Sequence, residues 1–478
     1  MFHDHSGHRR SAPSTHPSAR RDSIPDDNVR YPPPPVTPIY DALTTNLPHP
    51  IMAFSDFPFP PSTPLFPKAD VVASYLKSYA KTFGLYKCIR FNERVVEVEY
   101  ESDSGKWTLH TTGNITLEPS TYTSNLLFIC NGHHNLSRYP HIPGIDTWLA
   151  SNRAAHSVFY RNSKCAPWKL DETHKVLVVG GGPSGQDIVT DLMSRGQVIV
   201  HSSSKYTGED GDHVVKRRGR LLRFWDVNEG KVEFEGDVTE NGIDYVILAT
   251  GYEVQFPFLS EKYIKAGFPQ PVPPLPTGVW NTTYGVFPLA RYLFPFSFNA
   301  GTSNSPPPTS MFFLGLPVRV VPMPLVQVQA HVALALFANK LTQLDWTREA
   351  KDVLVRYDHL KAQLGDDHQI HKAWFRFEPM EQFAYRDALV DLLCSSLGEE
   401  RAFRSVRRVK AWEWEIYLRK GTLRKAWQAL EANGDATEFV RGIGEGNGGK
   451  SVEDEWVGLM WRVLKIGEIW KGDASSSS

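Results

Sequence analysis

Lys175-Val-Leu-Val-Val-Gly180-Gly181-Gly182-Pro183-Ser184-Gly185 runs a short apolar stretch straight into a glycine-rich turn. The apolar run, 176–179, has the length and composition of a strand buried on both faces of a parallel sheet. The residues after it, to about Met193, carry a helical pattern, and a second apolar run at 198–201 closes a β-α-β unit. In this arrangement each glycine has a physical task. Gly180 permits the tight turn, Gly182 lets backbone approach a pyrophosphate, and Gly185 lets the helix pack close to the strand. The N–H groups of the helix start, around Ser184, then face the phosphates. The segment is therefore read as a dinucleotide-binding loop.

The end of the second strand distinguishes between dinucleotides. A site for an unphosphorylated ribose usually has Asp or Glu about 20 residues after the glycines. Here the strand ends in His201-Ser202-Ser203-Ser204-Lys205, without a carboxylate. Hydroxyls and a lysine suit a 2′-phosphate, so Ser203 and Lys205 point to NADP(H) rather than NAD(H).

Two more apolar runs, 126–130 before Asn131-Gly132 and 245–249 before Thr250-Gly251, extend the same pattern. The fold class expected is α/β with Rossmann-like nucleotide domains. A helix is expected over 69–83. A half-buried strand follows, with Val96, Val98 and Tyr100 on one face, and a return strand carries Trp107, Leu109 and Thr111. Residues 1–35 are rich in Ser, Pro, Arg and His and are expected to be disordered or loop-like.

Composition narrows the function. The 478 residues carry 52 Lys+Arg against 53 Asp+Glu, a formal net charge of −1, which argues against nucleic-acid binding through an overall field. No apolar run approaches the roughly 20 residues that span a bilayer. Cys88, Cys130, Cys165 and Cys394 are scattered, with no metal-ligand spacing, so no metal site is expected. With no apolar leader visible, the cytosol fits best. From about 346 onward the chain looks helical. Arg401, Arg404, Arg407, Arg408 and Lys410 read as a solvated helix face. Trp456, Leu459, Met460, Val463 and Leu464 form a stripe suited to packing, with peripheral membrane contact as the lesser reading.

Several further segments, in order, resemble a flavin-containing monooxygenase of the fungal, N,N-dimethylaniline monooxygenase-like type. Thr37-Pro-Ile-Tyr40-Asp41-Ala-Leu-Thr-Thr45-Asn46-Leu47-Pro48 resembles the family's MYxxLxTNxP segment. Asn131-Gly132-His133-His134 with Pro143-Gly144 resembles its TGHxxxPxxPxIPG strand end. His156-Ser157-Val-Phe-Tyr160-Arg161 resembles the end of FxGxxxHSxxYR, Leu248-Ala-Thr250-Gly251-Tyr252 its ATGY, and Pro322 to Gln329 its last flavin-domain segment. The resemblance covers roughly residues 36–345. It implies FAD and NADP as cofactors and two Rossmann-like domains, the NADP one inserted into the FAD one. It also implies a cycle in which NADPH reduces the flavin, O2 gives a C4a-hydroperoxyflavin, and oxygen passes to a soft nitrogen or sulfur nucleophile. By the same resemblance Asn46 is the catalytic residue near the flavin, Thr45, Leu47 and Gln329 line the flavin, and Tyr160 and Arg161 sit at the entry to the NADP domain, beside His156.

Two departures stand out. The leading Phe and Gly of the fingerprint fall on Ala150 and Asn152, so that turn is expected to be altered. The family's own N-terminal GxGxxG unit for FAD is not found before Tyr40, where the only glycine is Gly7; the FAD domain is expected to be N-terminally incomplete. The expected division is 1–35 loop, 36–170 first part of the FAD domain, 171–255 NADP domain, 256–345 second FAD part and 346–478 helical extension. Two other readings stay open. One is a non-catalytic NADP(H)-binding protein that has lost flavin. The other is a Baeyer–Villiger-type monooxygenase, against which Tyr160-Arg161 speaks, since that type has Trp-Pro there. The implied partners are a small N- or S-containing molecule and O2. A homodimer is compatible with the sequence.

Overall fold

The computed structural model describes residues 37–476 except 163, 165–167, 207–214, 270–271, 299–304 and 405. The loop-like reading of 1–35 lies outside the described residues.

The segment from Lys175 forms the centre of a five-stranded, wholly parallel sheet. Its order is Ala154–His156, Tyr245–Leu248, Lys175–Val179, Val198–Ser202, Val215–Arg218. Val176, Leu177 and Val178 are fully buried, as a strand covered on both faces requires. The Pro183–Met193 helix covers one face with Ile188, Val189 and Leu192. The sheet takes its edge strand from Ala154–His156, upstream of the boundary expected at 171.

A second body surrounds the parallel pair Leu127–Ile129 and Met311–Phe313. An antiparallel meander, Glu93–Glu101, Lys106–Gly113 and Pro119–Ser124, packs on it through Trp107, whose indole N–H donates to Ser310 at 3.1 Å. One expectation fails here. The pairing register shifts between Val95 and Glu97, a bulge that turns Val96 outward and leaves Val95, Val98 and Tyr100 on the core face.

The tail is helical: Trp346–Leu364, Asp367–Trp374, Pro379–Leu397, Ala411–Asn433 and Val452–Ser476 are its long elements. The Trp456–Leu464 stripe is buried against the Ala411–Asn433 helix and the Leu47–Phe66 region, so it is core rather than a membrane-facing stripe. No helix among the described residues is long and apolar enough to cross a membrane. The basic cluster is not a helix face either. Most of it lies in the connection between Glu399–Ala402 and Ala411–Asn433, and its charges are paired: Arg404 with Glu400, Arg408 with Asp391, and Arg407 and Lys410 with Glu453.

Candidate active site

Gly180 leaves its strand with φ +127°, and a Cβ there would lie 2.2 Å from the Ala249 carbonyl oxygen. Gly185 is tighter: its Cβ would meet the Gly180 carbonyl oxygen at 2.0 Å. Only glycine lets the helix start so close to the strand end. Gly182 differs, because nothing stands within 4 Å of where its Cβ would be. Gly182 is also the N-cap of the helix, and no side chain caps that end. Two helices of the tail, by contrast, are closed by side chains: Asp345 accepts from the Thr347 and Arg348 amides, and Asp366 from the His368 amide. The glycine loop thus offers open space beside helix-start N–H groups, with Ser184 half-buried at its rim.

At the neighbouring strand end, His201 Nε2 donates to the Gly180 carbonyl at 2.9 Å, while the Tyr206 hydroxyl donates to Nδ1 at 3.1 Å. Burial first, and then the charge of Arg217, hold this imidazole below its usual pKa, so it stays neutral and fixes the loop. Ser203 Oγ accepts from the Lys205 amide at 3.3 Å, and the Lys205 side chain is exposed. The parallel register puts Arg217 beside His201, adding an exposed cation that the sequence reading missed. It sits 12 residues beyond Lys205 in sequence, and only strand pairing brings it near.

Two segments dock on the glycine helix. Tyr160 is buried and donates to Asp191, and Tyr40 donates to Asp187. The Asp41 amide donates to the Arg161 carbonyl at 3.0 Å, joining the two segments. The Arg161 guanidinium is turned back on its own chain, donating to the Val158 and Tyr160 carbonyls, each at 2.9 Å. His156 is fully buried: Nε2 donates to the Gly251 carbonyl at 2.9 Å and Nδ1 accepts from the Val158 amide at 3.1 Å, while burial lowers its pKa to about 4. Tyr160 and His156 therefore hold segments in place. In the altered fingerprint turn, Asn152 takes the left-handed conformation, φ +60°, that a glycine adopts without strain.

From Tyr40 the chain crosses to the tail, where Leu47 enters the core with Trp427 and Trp456. Thr45 and Asn46 lie between these anchors. The Thr45 amide donates to the Pro67 carbonyl at 3.0 Å, but its Oγ1 is buried with no partner among the described residues. Asn46 is exposed. Gln329 is different. It is fully buried, accepting from the Gly315 amide at 3.0 Å and donating to the Tyr385 hydroxyl at 3.0 Å, so both ends of its amide are used inside the protein. Of the four residues expected at a flavin, two offer free groups and two brace the surrounding structure. Among the described residues no His, Cys, Asp and Glu group could hold a metal.

With this geometry in view, the comparisons with known proteins are specific. Residues 34–220 match the family described as flavin-binding monooxygenase-like. Flavin-containing monooxygenase FMO GS-OX-like 7 of Arabidopsis thaliana is 28% identical over 361 residues, covering 70% of each chain. The thiol-specific monooxygenase of Saccharomyces cerevisiae is 28% identical over 306 residues, 63% of this chain and 66% of that one. Among solved structures, S-allyl-L-cysteine S-oxygenase from Allium sativum shares the fold with a TM-score of 0.64 at 21% identity, over 90% of this chain and 84% of that one. Tmm from Pelagibacter sp. strain HTCC7211 does so at 0.60 and 17%, over 83% and 79%. The ordered motifs, the family matched over residues 34–220 and these relatives all make this chain similar to the flavin-containing monooxygenases.

Proposed function

We propose that this chain uses NADP(H) and a flavin to insert one oxygen atom of O2 into a small, soft nucleophile, with sulfur favoured over nitrogen. The observation that carries the reading is the glycine loop, where Gly182 leaves room beside an uncapped helix start and the adjoining strand ends in hydroxyls and cations. Those residues fit a phosphorylated dinucleotide. Helix-start amides at Gly182 and Ser184 would hold the diphosphate, and Ser203, Lys205 and Arg217 the 2′-phosphate. The orphaned Thr45 Oγ1 and the open amide of Asn46 fit the polar edge of a flavin. When bound, the two cofactors supply hydride transfer and activation of O2.

The chain's own contribution is orientation. Tyr40 and Tyr160 lock their segments to the glycine helix, so the Asn46 loop is tied to the element that would carry the dinucleotide. His156 ties the Thr250-Gly251-Tyr252 turn to the same body. Asn46, held between Tyr40 and Leu47, can donate and accept at once without ionising, so it orders polar groups without delivering a proton. The name of the yeast relative, a thiol-specific monooxygenase, supports sulfur as the atom oxidised.

The test is product analysis of the FAD-supplemented protein with NADPH and three probes: methyl p-tolyl sulfide, N,N-dimethylaniline and cyclohexanone. Sulfoxide formed faster than N-oxide, with no lactone, is expected. Lactone as the main product would replace this reading with the Baeyer–Villiger one. NADPH binding without turnover of any probe would favour a non-catalytic binder.

A further inference from the structure

A cavity of about 220 Å³ lies where residues 49–59 meet the Pro322–Phe337 helix and three tail helices. Asn46, the Gly180–Gly185 loop and Lys205 are not among its walls. Phe54, Phe59, Trp412 and Trp456 give it an apolar lining. Arg386, from the Pro379–Leu397 helix, also lines it and is 4% exposed. Its Nη2 donates to Glu413 at 2.6 Å, yet Nε and Nη1 are buried without a partner among the described residues. Buried guanidinium donors are rarely left unpaired in native proteins.

The charges around the cavity do not cancel. Arg386, Arg407 and Lys410 face Glu413 and Glu453, which leaves 3 − 2 = +1. Lys410 and Arg407 share Glu453, at 2.6 and 3.7 Å. His49, also in the wall, adds no charge near neutral pH, because burial lowers its pKa to about 3. The site is thus an aromatic-lined pocket with one surplus positive charge, where Arg407 and Lys410 share Glu453, and with two free donors on Arg386. Its volume lies below that of pockets for drug-sized ligands.

We propose that this cavity binds a small monocarboxylate with an apolar body, the carboxylate accepting from the free donors of Arg386 and the body lying against Phe54, Phe59 and Trp412. A carboxylate matches the single surplus charge, and guanidinium binds it more strongly than it binds a neutral acceptor. The inference does not depend on the proposed oxygenation.

The experiment titrates hexanoate into the full-length protein and follows tryptophan fluorescence and heat, with hexanamide and hexylamine as neutral and cationic controls. Saturable hexanoate binding is expected, with hexanamide at least tenfold weaker. Arg386→Lys keeps the charge toward Glu413 but changes the free donors, and should weaken hexanoate at least tenfold. Val452→Phe, at the half-buried start of the last helix, fills the cavity and should do the same, so it decides the matter if Arg386→Lys fails to fold. Absent hexanoate binding, equal binding of hexanamide, or affinity unchanged in Val452→Phe would overturn the proposal. So would binding lost in Lys205→Ala but kept in Val452→Phe, which would put the acid in the dinucleotide site.

Discussion

The Gly180 loop and the Arg386 cavity both present unpaired donors, but in opposite ways. The loop uses backbone N–H groups at a helix start, near the surface, with space made by a missing side chain at Gly182. The cavity uses the buried side-chain donors of Arg386, in a wall drawn together from five separate stretches of chain. Backbone sites are written in contiguous sequence, because glycine spacing is itself the geometry. Side-chain sites exist only after the helices have packed.

The sharpest way to break the loop side of this comparison is Gly185→Val. The new side chain would strike the Gly180 carbonyl, and overpacking at the strand–helix contact should cost about 3 kcal/mol. NADPH binding should fall more than a hundredfold, with a clear drop in melting temperature. Gly182→Ala sharpens the contrast. Its Cβ meets nothing within 4 Å in the protein, so the melting temperature should hold while NADPH binding weakens. Equal stability losses in both variants would break the distinction between the two glycines.

Acid should unsettle both regions together. His156 in the sheet body and His49 and His371 in the helical bodies are buried, and burial lowers their pKa values to about 4, 3 and 4. Above about pH 7.5, a unit over the ordinary histidine pKa, these imidazoles are neutral in both folded and unfolded chains, so their stabilising effect is complete. As pH falls toward 4, the unfolded chain takes up protons that the folded chain refuses, and stability is lost. Acid unfolding near pH 5 should take up about two to three protons by this route. A melting temperature flat from pH 7 to 4.5 would contradict the burial of these rings.

Smaller effects are expected at the strand end. Lys205→Ala and Arg217→Ala should each weaken NADPH about tenfold while leaving NADH unchanged, the size of one charge-assisted hydrogen bond. If Lys205→Ala alone changes the preference, Arg217 is only a neighbour. Smallest in stability is Asn46→Ala. Asn46 is exposed, so melting should move by less than about 0.5 kcal/mol while product formed per NADPH consumed falls.

The β-α-β unit was legible because each of its signals is local: an apolar run, glycines at fixed spacing, a helical pattern, a second run. The 69–83 helix reads off its periodicity for the same reason and is observed as Ala69–Thr82. Other features depend on partners distant in sequence. The bulge that turns Val96 outward arises in pairing with the return strand. Arg217 reaches the site only through parallel strand order. The basic residues near Arg407 look like a solvated helix face until Asp391, Glu400 and Glu453 are packed beside them. Gln329 reads as a lining residue from its motif, but the folded chain commits its amide to Gly315 and Tyr385. Asn152 shows the reverse case. A substituted glycine suggested a changed turn, yet asparagine tolerates the same left-handed backbone.

The central claim is that the Gly180 loop holds NADP(H) so that it can reduce a flavin placed beside Asn46. The most direct measurement is the visible spectrum of the FAD-supplemented protein, titrated anaerobically with NADPH and, separately, with NADH. Flavin bands that bleach at low NADPH and only at much higher NADH are the expected result. Bound flavin that NADPH fails to bleach, or that both nucleotides bleach equally well, would contradict it.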